Sequence, residues 1–563
     1  MPFPPVTLST SNPATAATTI PAPSKWIPWL LGLPPLILVG VYVLVRRVSG
    51  PFFLSANFDP DYAYLFNGLN IALSRAPMHT DHPGTPLQLL GAVWIRLHNL
   101  GASTDVTVTN TILNSEDRLA QLNMMIFFLL LCAMAAAGLF IHRRKQKAGS
   151  AFLPAAGLLF MGANVYCLGR FNPEPFLLLD SFLLGLSIYG YCGVNKIIRP
   201  ATEPLARITP SLAFPLLAAF LVATELAIKI DSAPLVLLPL FLIPNSRGKL
   251  AYVFFSLVVL ALWLIPDYGQ LARMEGWWEG LATSTGRYGT GSAGLLDAHT
   301  YFRNVASLAV INLPYFLLIT GSLLLAIHGL LHQRNEPGSD YPRSVFSTPA
   351  GVLLAVSGCE LLQFLVASKY QLSRYLVPGM GLAGLDLLLL LDSGSFTFAQ
   401  RWLRPVVAVL GLAGAVIAAR SLVQLDQRTT ENLKVFEASQ NFPGQPTRIY
   451  GYGSSSPYYA WYFGNNFSGW AYGSALYLLV PHSDHVFFYD NFLKYCVDVR
   501  GHGIPSEYFT THGPVIFQSP PLGGDDPIYD WPKGLKLTEK FGGQYEKIYG
   551  LDAVMVRSDA THQ

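Results

Sequence analysis

The sequence predicts an α-helical polytopic membrane protein with about eleven transmembrane helices, followed by a C-terminal extracytoplasmic α/β domain. Two observations support this fold class. Of the 563 residues, 51% are hydrophobic and only 13% are charged, whereas an average soluble domain has about 25% charged residues. Apolar runs long enough to cross a hydrocarbon core recur up to residue 419, and the residues after 422 contain none.

Three regions follow from this pattern. Residues 1–25 are rich in Pro, Ser, Thr and Ala without periodicity, which predicts a disordered cytoplasmic tail. Residues 26–422 form the predicted transmembrane domain, and residues 423–563 the predicted soluble domain. The candidate spans lie at 26–45, 119–141, 151–168, 176–191, 212–228, 233–244, 250–265, 305–331, 348–366, 375–391 and 406–419.

Basic residues in short loops predict the orientation of the spans. The most basic connection, from Arg143 to Lys147, should lie in the cytoplasm, and the other short basic connections then fall on the same side. The outer face therefore carries a loop at 49–118, a second loop at 266–304 and the C-terminal domain. A net charge of +3 without a long basic run argues against a nucleic-acid partner.

The C-terminal region alternates short apolar runs with turn residues. Runs at 448–456, 485–490, 513–518 and 552–557 are bounded by Gly, Pro, Asn and Asp, which predicts strands. Residues 457–463 and 474–480 have the composition of helices. An α/β domain is the expected arrangement.

The first outer loop contains the chain's densest group of polar residues. Asp59 followed by a proline predicts a helix N-cap, which places Asp61 in the first turn. The aromatic and apolar residues that follow at helical spacing predict an amphipathic helix resting on the membrane interface, with its aromatic face toward lipid or protein. Capping explains Asp59 without any function, whereas Asp61 carries a charge that capping does not require. The two carboxylates also have the spacing of a divalent-cation site, although two alone do not establish a metal.

The second half of this loop predicts another helix start. Thr85 and Gln88 have the spacing of a capping box, and Asp81 and His82 lie in the turn before it. Two converging helix N-termini would form a polar pocket that can hold an anion and accept a proton.

Five basic residues are predicted at the outer ends of spans or in outer loops. Arginine and lysine in such places can bind a phosphate at the membrane surface, or extend along the interface without any function. Lys229 and Arg374 border apolar spans, where an unpaired charge is costly, and are the preferred candidates. The five are Arg170, Lys229, Arg287, Lys369 and Arg374.

The order of these features resembles the GT-C membrane glycosyltransferases, especially the group of lipid A aminoarabinose transferases and protein O-mannosyltransferases. In that family an Asp within a Pro-Asp-Glu-type motif of the first outer loop is the catalytic base, and Asp61 after its proline matches it. Tyr62 replaces the family's Glu, so Asp59 is the candidate for the missing carboxylate. His82 with its following proline matches a Lys-Pro-Pro-type turn. Looser matches are 170–174, 224–229, 285–291, 369–370 and 374–378.

The resemblance implies inverting transfer of a sugar from a polyprenyl-phosphate donor to an extracytoplasmic lipid, glycan or protein in a bacterial inner membrane. Asp61 would be the base, with Asp59 as the second carboxylate. No cofactor is required, and a divalent cation at these two residues stays open. The implied donor-phosphate residues are Lys229, Arg374, His82 and Arg170; the implied substrate-binding residues are Asp81, Trp278, Arg287, Tyr288 and Lys369.

Two other classes of function remain open. A transporter or flippase of lipid-linked saccharides would place ionisable groups near the bilayer midplane, for which Glu225 and Glu360 are candidates. A non-catalytic membrane protein whose C-terminal domain binds a glycan is the third possibility. The aromatic residues, including Trp278 and Tyr288, would equally suit an interfacial belt.

Overall fold

The computed structural model describes residues 27–54, 61–79, 84–145, 152–194, 212–285, 292–335, 345–391, 400–490, 495–511, 514–518, 545–548 and 551–557. The predicted disordered tail at 1–25 lies outside the described residues. Helices dominate as far as residue 440, and a seven-stranded sheet follows.

Sixteen α-helices precede the sheet among the described residues. The first nine are α1 (Ile27–Ser49), α2 (Asp61–Ala72), α3 (Thr85–His98), α4 (Thr104–Leu113), α5 (Ser115–Lys145), α6 (Leu153–Gly157), α7 (Pro173–Val194), α8 (Ala213–Ile228) and α9 (Leu237–Leu242). The others are α10 (Ser246–Trp263), α11 (Leu271–Thr283), α12 (Ala298–Ile311), α13 (Leu313–Asn335), α14 (Pro349–Ser368), α15 (Val377–Leu391) and α16 (Gln400–Gln440). Short 3-10 turns cover Phe52–Leu54, Leu158–Gly169, Ile230–Val236, Ile265–Gln270, Val345–Ser347 and Ser373–Leu376.

Eight of the described helices have the length and hydropathy of a membrane span: α1, α5, α7, α10, α13, α14, α16 and α15 with its preceding turn. Three further apolar segments, Leu153–Gly169, Ala213–Ile228 and Ile230–Leu242, are shorter. The predicted polytopic α-helical membrane protein is therefore confirmed, with eight long candidate spans among the described residues.

Besides the predicted spans 151–168 and 233–244, which fall in shorter segments that combine a 3-10 turn with a short α-helix, two predicted spans differ from the structure. The run at 305–331 belongs to two helices. Helix α12 ends at Ile311 and α13 begins at Leu313, with Asn312 between them. The Asn312 side chain donates to the Leu308 carbonyl at 3.1 Å and accepts a hydrogen bond from Ser373 at 2.8 Å. The run at 406–419 continues as helix to Gln440, since no glycine or proline interrupts the polar residues after Arg420.

The predicted α/β domain is confirmed. It contains β1 (Thr447–Tyr450), α17 (Pro457–Phe467), α18 (Gly473–Leu479), β2 (Val486–Asp490), β3 (Tyr495–Val497), β4 (Gly503–Ile504), α19 (Ser506–Thr511), β5 (Val515–Gln518), β6 (Tyr545–Ile548) and β7 (Leu551–Arg557). The strand order is β4-β3-β2-β1-β5-β7-β6, with β1 parallel to β2 and β5 and the other pairs antiparallel. The first strand ends at Tyr450, earlier than predicted, because a turn with Gly453 at φ 78° follows.

The C-terminal domain packs directly on the first outer loop. Helix α17 crosses α2, and Gly464 allows the close approach, because a Cβ there would lie 3.0 Å from the Tyr62 carbonyl oxygen. The Tyr472 hydroxyl donates to Asn70 Oδ1 at 2.6 Å, and Asn70 Nδ2 donates to the Ser468 carbonyl at 3.1 Å. All residues from Asp61 to Asn70 are buried. Of the two predicted surroundings for the aromatic face of this helix, lipid or protein, the structure shows protein, because the C-terminal domain covers α2.

A second contact joins the membrane domain and the C-terminal domain at Leu54, the last residue of the 3-10 turn Phe52–Leu54. The Leu54 carbonyl accepts hydrogen bonds from Asn432 Nδ2 at 2.6 Å and Ser455 Oγ at 3.1 Å. Ser455 belongs to the loop after β1, and its own carbonyl accepts from Gln518 Nε2 at the end of β5 at 3.2 Å. The loop after β1 thus contacts Leu54 directly, and the end of β5 holds that loop in place.

Candidate functional site

Asp61 is the first residue of α2 and is fully buried. Its carboxylate forms an ion pair with the Arg170 guanidinium and accepts a hydrogen bond from the backbone N–H of Phe171. Burial raises the pKa of Asp61 above its ordinary value, and the nearby charge of Arg170 opposes that rise. The result is a desolvated carboxylate that is held in a fixed orientation.

The segment that carries Arg170 is held from several sides. Arg170 has extended backbone between the 3-10 turn Leu158–Gly169 and α7. Asn123 Nδ2 of α5 donates to the Arg170 carbonyl at 2.8 Å, and Arg46 Nη1 of α1 donates to the Gly169 carbonyl at 2.8 Å. Side chains of α1 and α5 therefore hold the backbone of the segment whose guanidinium pairs with Asp61.

Glu116 supplies a second acidic group beside α2. This residue in the first turn of α5 accepts hydrogen bonds from the Tyr62 hydroxyl and, at 2.7 Å, from the backbone N–H of Phe52. Glu116 thus places a carboxylate from another helix next to Tyr62, the residue that follows Asp61. Glu116 was not predicted as a site residue. In the sequence, it is distinguished only by its position at the start of an apolar helix.

Glu174 is the centre of a second charged cluster. It lies in the first turn of α7, four residues after Arg170, and is fully buried. Lys229 Nζ lies 2.8 Å from Glu174 Oε1, and Arg374 Nε lies 3.8 Å from the same oxygen. The ring centroid of Tyr375 is 4.3 Å from Lys229 Nζ. The residues from 170 to 174 thus connect the Asp61 pair with the Lys229 cluster.

The helix ends explain how these cations reach one carboxylate. Lys229 ends α8 with extended backbone and is only 1% exposed. Arg374 lies in the 3-10 turn Ser373–Leu376 before α15, and its side chain is 18% exposed. A ligand can therefore reach Arg374 more directly than Lys229.

Two further buried acids are Asp231, which lies near this cluster, and Asp267, which contacts the start of α3. Neither carboxylate oxygen of Asp231 has a hydrogen-bond partner among the described residues, and burial raises its pKa to about 7 while Lys229 opposes the rise. Burial also raises the pKa of Asp267 to about 6, against a hydrogen bond from Thr85. The sequence analysis missed both residues, although each is an acid at the end of an apolar run.

The predicted capping box at the start of α3 is wrong. Gly84, with φ 57°, precedes the helix, and no side chain caps it. Thr85 Oγ1 instead donates to Asp267 Oδ2 at 2.6 Å, and Gln88 Nε2 donates to the His79 carbonyl at 3.3 Å. The two side chains serve tertiary contacts because the left-handed glycine already sets the entry into the helix.

Comparisons with known proteins gave structural matches only. No protein-family model and no curated protein matches the sequence. The chain resembles solved structures of ArnT. Two are crystal structures from Cupriavidus metallidurans, one bound to undecaprenyl phosphate and one in the apo state, each 12% identical and matched over 92% of this chain and 97% of that chain. Their TM-scores are 0.45 and 0.47 respectively. The similarity is distant.

Two other predicted site residues, Lys369 and Trp278, are both associated with α11. Lys369 Nζ, at the end of α14, donates to the Leu281 carbonyl, and the Tyr370 hydroxyl donates to the same oxygen at 3.3 Å. Trp278 lies half-buried on that helix. Among the described residues, none of the hydrogen bonds or ion pairs of Asp61 and Glu174 involves Lys369 or Trp278.

The remaining predicted site residues, Asp59, Asp81, His82, Arg287 and Tyr288, lie outside the described residues. Within the described part of the chain, no group of three or more His, Cys, Asp or Glu side chains could hold a metal ion. The described site thus consists of ion pairs at the starts of α2 and α7, the end of α8 and the turn before α15.

Proposed function

We propose that the protein is a membrane glycosyltransferase that moves a sugar from a polyprenyl-phosphate donor to an acceptor hydroxyl on the outer side of the membrane. The observation that carries this proposal is the buried Asp61–Arg170 ion pair, four residues away in sequence from the Glu174–Lys229–Arg374 cluster. One part offers a desolvated base and the other offers cations for a phosphate.

Asp61 is the proposed general base of a single, inverting displacement. The acceptor oxygen attacks the anomeric carbon and its proton passes to the Asp61 carboxylate, while the bond from carbon to phosphate oxygen breaks. The electron pair of that bond leaves with the polyprenyl phosphate. Arg170 keeps the carboxylate ionised and oriented before the transfer. Asp59 is the proposed second carboxylate.

Lys229 and Arg374 are the proposed partners of the leaving phosphate. Together they carry one more positive charge than Glu174 neutralises, which matches the single negative charge of a phosphodiester donor. An arginine offers two parallel hydrogen bonds to phosphate and a lysine a point charge. His82 and Arg170 are proposed to add to this binding, and Asp81, Trp278, Arg287, Tyr288 and Lys369 to contact the sugar or acceptor.

The proposed function requires a membrane location and an acceptor on the outer side. The eight long apolar helices make the chain an integral membrane protein, and we place it in a bacterial plasma membrane with its C-terminal domain outside. The acceptor would be a lipid, glycan or protein on that side. No cofactor is required in this mechanism, and a divalent cation at Asp59 and Asp61 would be detected as loss of activity in a chelator.

Asp61→Asn tests the mechanism. The purified protein is reconstituted in vesicles with radiolabelled polyprenyl-phosphate sugars and outer-envelope acceptors. We expect the variant to lose transfer by at least about a hundredfold, because general-base catalysis contributes roughly 10²–10⁴-fold. Donor binding should persist, since Lys229 and Arg374 remain.

The matched control is Asp484→Asn, whose side chain is 66% exposed in the C-terminal domain, and it should retain wild-type transfer. Size-exclusion chromatography of both variants separates loss of chemistry from loss of folding. Full transfer by a well-folded Asp61→Asn protein would eliminate Asp61 as the base.

A transporter of lipid-linked saccharides is the second candidate function. Glu225 and Glu360 are fully buried in α8 and α14, as that class of protein requires of its membrane carboxyls. In the same vesicles, a transporter would move the intact donor between leaflets without any acceptor, whereas a transferase would release polyprenyl phosphate only when an acceptor is present.

A further inference from the structure

Arg374 lies in the short 3-10 turn Ser373–Leu376, which connects α14 to α15. Its Nε is 3.8 Å from Glu174 Oε1, a separation longer than a hydrogen bond. This contact therefore attracts the guanidinium to Glu174 without fixing it as closely as a hydrogen bond would. The backbone that carries Arg374 then has a large effect on where its charge lies.

Ser373, the residue before Arg374, connects this turn to two other parts of the chain. Its hydroxyl accepts a hydrogen bond from Asn164 Nδ2 at 3.0 Å and donates one to Asn312 Oδ1 at 2.8 Å. Asn164 Nδ2 also donates to the Ser373 carbonyl at 3.2 Å. Both asparagines are buried. One serine hydroxyl thus bridges two buried amides.

The residue after Arg374 is held in a similar way. Gln363 Nε2 of α14 donates to the Tyr375 carbonyl at 3.1 Å, and the ring centroid of Tyr375 lies 4.3 Å from Lys229 Nζ. Neutral side chains from three separate segments therefore hold the residues on both sides of Arg374.

Asn164 belongs to the segment that leads to the other ion pair of the site. It lies in the 3-10 turn Leu158–Gly169, and the residue after this turn is Arg170, the partner of Asp61. The hydrogen bonds between Asn164 and Ser373 thus fix the turn before α15 relative to the segment that carries the Asp61 partner.

We propose that Ser373 is a positioning residue, which through Asn164 and Asn312 holds Arg374 where its guanidinium can bind the donor phosphate. A hydroxyl suits this role because it can accept one hydrogen bond and donate another. Ser373 acts through Arg374 and need not touch the phosphate. The inference rests on the proposed function, because it takes Arg374 as a ligand of that phosphate.

Binding of radiolabelled polyprenyl phosphate to the full-length protein in nanodiscs tests this role. Ser373→Ala removes the bridging hydroxyl and should raise the Kd about tenfold, because a charge-assisted hydrogen bond to the phosphate is misplaced. Arg374→Gln should also weaken binding. When Arg374→Gln is already present, Ser373→Ala should add less than about a twofold loss, because the group that it positions is gone.

Ser357→Ala is the matched control. Ser357 is a fully buried serine of α14, and its hydroxyl donates to the Leu353 carbonyl of the same helix at 2.7 Å. This variant should bind polyprenyl phosphate as the wild type does. Should Ser373→Ala fail to fold, Asn312→Ala removes one partner of the hydroxyl and should show the same loss and the same dependence on Arg374.

The outcomes separate this role from the proposed reaction. Losses that multiply in the double variant, or unchanged binding in a folded Ser373→Ala protein, would overturn the positioning role and leave the transfer reaction untouched. A protein that shows the expected dependence on Arg374 in binding but transfers no sugar in vesicles would overturn the transferase and retain the positioning role.

Discussion

At the scale of single residues, the chemistry depends on how Asp61 is paired. Its only described cationic ion-pair partner is Arg170, and burial acts on its pKa in the opposite direction. A base in this environment is poised closer to neutral pH than an exposed aspartate, whose pKa is about 3.9. The pairing therefore sets the pH range in which the proposed reaction can run.

The pH dependence of transfer should report this pairing. Because the base must be ionised, kcat/KM should fall at low pH with an apparent pKa above that of an exposed aspartate. Arg170→Gln should move this acidic limb to higher pH, because the Arg170 charge lowers the pKa of Asp61.

The control for this profile is Arg401→Gln at the exposed start of α16, which should leave the acidic limb in place. A profile that is identical in Arg170→Gln and the wild type would show that another group provides the acidic limb.

At the scale of elements, α2 is held between the membrane domain and the C-terminal domain. Helix α17 covers one side of it and α3 another. The sequence could predict that α2 is a helix, from the spacing of its apolar residues, but not that it is buried. That burial depends on a strand-and-helix domain almost 400 residues further along the chain, as shown by the bond from Asn70 to Ser468 across 398 positions.

Gly464→Ala should loosen this contact. The new methyl group would lie 3.0 Å from the Tyr62 carbonyl oxygen and 3.1 Å from the Phe66 ring, so α17 would have to shift. We expect a loss of about 1–3 kcal/mol in the free energy of unfolding. Hydrogen exchange should become faster at the backbone amides of α2.

Gly321→Ala in α13 is the matched control, because nothing lies within 4 Å of its added Cβ. That substitution should leave exchange in α2 unchanged. Equal protection of α2 in both variants would show that α17 does not restrain it.

At the scale of the whole molecule, composition and apolar runs predicted the membrane domain and the α/β domain, since both depend on local pattern. Local pattern could not predict the contacts within the Glu174–Lys229–Arg374 cluster. Lys229 and Arg374 could be placed at outer ends of spans, but their shared partner Glu174 follows from how α7, α8 and α15 pack. The left-handed Gly84 and the covered α2 are likewise consequences of tertiary structure that capping rules do not contain.

Folding of the whole molecule should take up protons. The pKa of Asp231 rises from an ordinary 3.8 to about 7 on burial, so the folded state binds a proton that the unfolded state has already lost. Stability should therefore fall as pH rises from about 4 to 7 and change little through this group above that range. Asp231→Asn should flatten the dependence of Tm on pH in this window and be more stable than the wild type near pH 8.

Asp426→Asn, on the polar part of α16, supplies a comparison whose pH dependence should match the wild type. A wild-type Tm that is constant between pH 4 and pH 7 would contradict the assignment of this proton to Asp231.

The hydrogen bonds to Leu54 have a consequence for how the two domains can vary. In open α/β sheets the carboxyl ends of neighbouring parallel strands, where the strand order reverses, are the usual place for a small-molecule ligand. Here the loop after β1 contacts Leu54 of the chain's own loop 49–118 instead, and the end of β5 supports the loop after β1. The loop 49–118 thus occupies the position where a ligand usually binds in such a sheet. A C-terminal domain from a homologous protein would fit this membrane domain only if its strand ends matched the loop 49–118. The membrane domain and the C-terminal domain should therefore be exchanged together.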